Sequence, residues 1–68
     1  MFCYVFSVFM HGMEQPIYTH LAWLDDSNKA TELARSLAFE AREYAPVECE
    51  FHNWDFPELT NSVYYPIF

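Results

Sequence analysis

Apolar and polar positions change rhythm several times along this chain, and each rhythm predicts an element. Residues 2–10, FCYVFSVFM, are apolar at both odd and even positions. That is the pattern of a central strand with both faces at least partly covered. His11-Gly12 follows as a two-residue hairpin turn, with Gly12 taking the positive φ. A second strand runs through PIYTHLAWL, residues 16–24. Pro16 has no N–H to donate, which places this strand at a sheet edge or delays its start.

From residue 25 the period lengthens. Ala30, Leu33, Ala34, Leu37, Ala38, Ala41, Tyr44 and Ala45 recur at three- and four-residue spacing and form one apolar stripe. Asp26 or Ser27 can cap the N-terminus, Asp25 and Asp26 complement the positive end of the dipole, and Pro46 closes the helix. The alanines let it lie close on a sheet of bulkier side chains. Alternation then returns, with Val47, Cys49 and Phe51 on one side and Glu48, Glu50 and His52 on the other. The remainder, NWDFPELTNSVYYPIF, leaves three courses open: a wrapping tail, a short helix at 57–62, or a late strand in SVYYPIF.

These elements predict an α+β fold in a single small domain, 1–68, with residues 53–68 as a tail of open path. Its arrangement is ββαβ: a three-stranded antiparallel sheet in the order 2-1-3, one amphipathic helix packed on one face, and an aromatic C-terminal tail. The most apolar strand takes the centre.

A chain of 68 residues buries only about 60% of the surface it exposes when unfolded. Composition offsets this. Aromatics make up 21% of the chain, and each brings a large area to bury, so a core is attainable without metal or disulfide. The same surplus leaves aromatics over for a partner. Ten acids against three bases, Lys29, Arg35 and Arg42, give a net charge of −7. Phosphate backbones and anionic membranes both require the opposite sign, so direct nucleic-acid or membrane binding is excluded and a basic partner is expected.

No catalytic signature accompanies the charge. The four serines lie in no nucleophile elbow, and a single glycine builds no phosphate loop. The chain is therefore read as a non-enzyme without cofactors. Cys49 and His52 have a suggestive metal-ligand spacing, but residues three apart on a strand point to opposite faces. No metal site is expected, and Cys3 and Cys49 read as small buried hydrophobes. The apolar opening lacks a basic n-region and, at ten residues, is too short to cross a bilayer. A reduced, cytoplasmic setting follows.

Candidate binding residues remain. On the predicted helix Phe39 faces outward, with Glu32, Glu40 and Glu43 on the acidic side and Arg35 and Arg42 on the other flank. That is an aromatic anchor in a charged rim. Glu48 and Glu50 lie about 6.7 Å apart along one strand face, and Asp55 and Glu58 continue past the strand end among Trp54 and Phe56. If that strand is an edge, the acids form an anionic margin. Charges on an edge deter aggregation, but that role accounts for one or two acids better than for four.

The segment SVFMHGMEQPIYTHLAWLDDSNKATELARSLA, residues 7–38, resembles small acidic proteins of phages and mobile elements, in which a hairpin with a glycine turn leads into a capped helix and a short strand. These include anti-CRISPR proteins and other inhibitors of host nucleic-acid enzymes. The resemblance implies a non-enzymatic inhibitor that occupies a basic nucleic-acid-binding groove, partly by DNA mimicry, on a CRISPR effector complex or similar host protein. The group shares no motif, so no functional residue carries across. Arg35 and Arg42 interrupt the acidic surface that such a mimic would present. The rival expectation is a structural module that homodimerises through Tyr64, Tyr65 and Phe68, its acids merely solvated.

Overall fold

The computed structural model describes residues Met1–Pro66. Its elements are β1 (Phe2–Met10), β2 (Tyr18–Leu24), helix α1 (Ser27–Glu40), a 3-10 turn (Arg42–Tyr44), β3 (Val47–Asn53) and β4 (Phe56–Tyr65). The strands form one antiparallel sheet in the order β2-β1-β3-β4. The expected order 2-1-3 is kept, but the sheet has four strands instead of three. Of the three courses left open for the C-terminal residues, the strand is the one taken, but it begins at Phe56, ahead of SVYYPIF, and no helix forms at 57–62. This fourth strand covers the outer side of β3, which is therefore an interior strand and not an edge. Phe68 lies outside the described residues.

Between β1 and β2 the chain turns at Met10–Met13, where the Met13 N–H donates to the Met10 carbonyl (3.0 Å). Gly12 has φ 85°, and no other described residue has a positive φ. One positive φ at the third position is the type II form. The loop is longer than the expected two residues: the strand resumes only at Tyr18, two residues beyond Pro16.

Asp26 caps α1, its carboxylate accepting from the Lys29 N–H (2.9 Å). The helix ends at Glu40 and tightens into a 3-10 turn, as last turns often do. Ala30, Ala34, Leu37, Ala38 and Ala41 are buried as the stripe predicts, but Tyr44, beyond the helix end, is exposed. The helix leans toward β3 and β4 and barely touches β2.

The core lies between α1 and one sheet face. It takes Tyr4, Phe6 and Val8 from β1 and Val47, Cys49 and Phe51 from β3, all buried. Phe6 and Phe51 are register partners and stack with centroids 5.7 Å apart. The alternate residues of β1, Cys3, Val5, Ser7 and Phe9, are only half-buried. Their face was expected to be covered; among the described residues no helix or strand lies over it, and only neighbouring side chains shield it.

The β3–β4 hairpin turns through Trp54-Asp55. Its two-residue loop lacks the positive φ of the favoured primed turns. Asn53 holds it instead, its side-chain oxygen accepting from the Asp55 N–H (2.8 Å). Beyond the turn, Pro57, Glu58, Leu59 and Thr60 stand against the single residue His52, an irregularity in an otherwise regular ladder.

Candidate functional site

The face away from α1 is divided by character. At one end Cys3 pairs with Trp23 and Val5 with both Leu21 and His52. The Trp54 N–H reaches the Cys3 carbonyl at 2.8 Å. Leu21, Trp23 and Trp54 are each about 60% exposed or more and line a shallow apolar depression with Cys3. At the other end Ser7 pairs with Glu50, Phe9 with Glu48, and these acids in turn with Ser62 and Tyr64.

At this second end the Met10–Glu14 loop and β3 enclose a dent of about 370 Å³, lined by Phe9, Met10, His11, Met13, Glu14, Glu48 and Glu50. Three carboxylates thus face one opening. Among the described residues none of them forms an ion pair with a lysine or arginine. Burial, and then the hydrogen bond and charge of Glu48, hold the Glu50 carboxyl above the ordinary carboxylate range. Ionised Glu50 is thus electrostatically frustrated in the free protein, and a cation placed beside it would relieve this.

This frustration has a pH signature. A carboxyl whose folded-state pKa is raised binds its proton more tightly in the folded chain. Its contribution is fully favourable below the unfolded value and is lost as pH rises through the folded one. Glu50→Gln is therefore expected to be more stable than the wild type at neutral pH, by less than about 1 kcal/mol given solvent screening. The gap should close as pH falls below about 4.3, the ordinary glutamate value. Thermal melts of both chains across that range check this; a gap that widens toward acid contradicts it.

The other sequence-predicted residues are distributed. Asp55 sits in the β3–β4 turn and Glu58 in β4, both exposed. Asn53, just before the turn, is already about 10 Å beyond Glu50 along the strand. The four acids therefore do not form one row: β3 ends at Asn53 and the chain reverses. Trp54 joins the apolar end of the open face, whereas Phe56, half-exposed, lines a separate dent of about 220 Å³ with Tyr4, Phe51 and Leu59.

The helix acids fall elsewhere. Glu32 is exposed on α1. Glu40 and Glu43 line a groove with Ile17, Tyr18, His20 and Tyr44 between α1 and β2; because the helix ends at Glu40, Glu43 does not flank Phe39 on a continuous helical surface. Burial first, then the charge of Glu40, raises the Tyr18 phenol above its usual pKa. Phe39 is half-exposed, its ring edge-on to Tyr65 at 5.9 Å and capped by the Arg42 guanidinium 4.2 Å above its centroid. The Arg42 guanidinium also donates to the Phe39 carbonyl (3.0 Å). Phe39 is thus partly occupied by its own chain.

Cys49 points into the core and His52 to the opposite face, so their spacing does not converge. Burial, followed by the Glu50 charge, pushes the Cys49 thiol up to about 11, which leaves it an unreactive packing group. Among the described residues no set of three or more His, Cys, Asp or Glu is placed to hold a metal ion, and no helix is long and apolar enough to cross a membrane. Glu14, Leu21 and Trp23 were not singled out from the sequence. Glu14 lies in an irregular loop, and Leu21 and Trp23 read as ordinary strand hydrophobes until the helix is seen to sit on the other face. No family model, curated protein or solved structure matches this chain.

Proposed function

We propose that this protein is a non-enzymatic binding module for a basic protein surface, acting as an inhibitor of the phage-encoded kind that occupies the nucleic-acid groove of a host complex. The observation that carries this reading is the dent bounded by Glu14, Glu48 and Glu50 on a sheet face over which, among the described residues, no helix or strand lies. Carboxylates crowded beside Phe9, Met10 and Met13 suit an arginine or lysine, whose charged head meets the acids and whose aliphatic stem lies on the apolar wall. The exposed Leu21, Trp23 and Trp54 at the far end of the same face add the apolar anchors on which most of an interface's free energy rests. Asp55, Glu58 and the helix acids contribute long-range steering more than contact.

The test is affinity capture from a host lysate at low and high salt, read by mass spectrometry, with duplex DNA as competitor. The expected result is one nucleic-acid-binding protein retained at low salt, displaced by DNA, and reduced tenfold or more by Glu48→Lys with Glu50→Lys. Asp55→Lys with Glu58→Lys should weaken capture less and flatten its salt dependence. Retention indifferent to salt and to both charge reversals would overturn the reading.

A further inference from the structure

The two edges of this sheet are unequal. β4 carries Pro57, Glu58 and a break in register, features that discourage a further strand from pairing. β2, YTHLAWL, has no charge, proline or bulge, and it pairs with β1 in unbroken register. It is also poorly covered. The Tyr18 hydroxyl reaches the Leu37 carbonyl of the helix (3.5 Å), but Leu21 and Trp23, on the other face, are largely exposed.

The direction of the free backbone groups of β2 follows from the ladder. The Cys3 carbonyl accepts from Trp54, on the β3 side, and the Val8 carbonyl from Ile17, on the β2 side. Backbone groups of successive residues point to alternate sides of a strand, so Tyr4, Phe6 and Val8 face β2. Their partners Ala22, His20 and Tyr18 face back. Thr19, Leu21 and Trp23 therefore direct their N–H and C=O groups outward. Among the described residues no backbone partner meets them.

We infer that β2 pairs antiparallel with β2 of a second copy of this chain about a twofold axis at Leu21, joining two four-stranded sheets into one of eight. In that register Leu21 faces its own counterpart and Thr19 faces Trp23 in both directions. All three outward residues then sit at hydrogen-bonded positions, and shifting the register leaves at least one without its partner. Side chains agree with backbone: His20 lies opposite Ala22 and Tyr18 opposite Leu24. The flanking Asp25 and Asp26 meet Ile17 and Pro16, so no acid faces an acid.

Charge leaves this edge as the place where two copies approach with least repulsion. A protein of net charge −7 repels itself over most of its surface, and β2 is the edge strand without charge. Association also stops at two, because β4 resists extension. The inference does not rest on the basic-partner reading, although Leu21 and Trp23 enter both, and its test reads oligomeric state, not partner capture. The surface also differs from the Tyr64 and Tyr65 surface of the rival homodimer.

Sedimentation equilibrium across a concentration series tests it, together with amide hydrogen exchange. The wild type is expected at twice the 8.1 kDa of the chain, with the Thr19, Leu21 and Trp23 amides protected. Leu21→Lys, which sets two like charges at the axis, should give a folded monomer with those amides exchanging freely. Leu59→Lys, an exposed change on β4, should leave the dimer intact. A wild type that stays monomeric, a dimer that survives Leu21→Lys, or a dimer whose three amides are unprotected each overturns the inference.

Discussion

Phe6→Ala is expected to remove most of the fold's stability and bring the chain close to its unfolding midpoint at room temperature. Phe6 has no exposed surface, stacks on Phe51 and lies 6.1 Å from the His20 ring, its register partner on β2. It therefore ties β2, β1 and β3 together beneath the helix. Truncating a buried phenylalanine costs about 3–5 kcal/mol. A domain's whole stability is about 5–15 kcal/mol and sits low in that range at this length. Val5→Ala, one residue away on the half-buried face, should cost only about 1 kcal/mol. Denaturant titrations followed by far-UV circular dichroism, all at one protein concentration, compare the two; equal losses would mean that both faces of β1 carry the core.

That contrast also marks what the sequence conveyed. β1 is apolar at every position but Ser7, so periodicity identifies a strand and cannot say which parity is covered. The answer comes from β3, where Val47, Cys49 and Phe51 alternate with Glu48, Glu50 and His52, and the register carries that division across to β1. The helix was legible because its stripe, its Asp26 cap and Pro46 agree. Its early end at Glu40 was not, since Ala41, Tyr44 and Ala45 continue the stripe beyond it. β4 was least legible. Its first half, FPELTN, contains a proline and residues poor in strand propensity, and the turn before it uses Asn53 in place of the glycine that signals a hairpin. Without β4, β3 looked like an edge.

The acids show the same dependence on topology. Glu48 and Glu50 share a face because they are two apart on a strand, which spacing alone establishes. Asp55 and Glu58 follow them closely in sequence but leave them in space once the chain reverses. Glu14, far away in sequence, joins the pair because the β1–β2 loop is seven residues long and borders the uncovered face. An acidic run thus gave way to an acidic dent, and a dent suits a single cationic side chain better than a row of phosphate-seeking ones. Both parts of the open face, acidic and apolar, exist because one helix covers only one side of the sheet.

How closely that helix lies on the sheet is the basis of the second large effect. Ala30, Ala34, Ala38 and Ala41 are at most 4% exposed and run along the side of α1 that meets the core. Leucine forms helix nearly as well as alanine, so Ala34→Leu changes packing and little else. Its extra carbons have no space and must lift α1 from β3 and β4. Overpacking of this kind costs about 1–3 kcal/mol, equivalent to roughly 5–20 °C in Tm for a chain of this size. Ser36→Leu, exposed on the same helix, should stay within about 0.5 kcal/mol of wild type. Thermal melts of the pair decide the matter: a stabilised Ala34→Leu would reveal unfilled space beneath the helix, and the row of alanines would then have another cause than close approach.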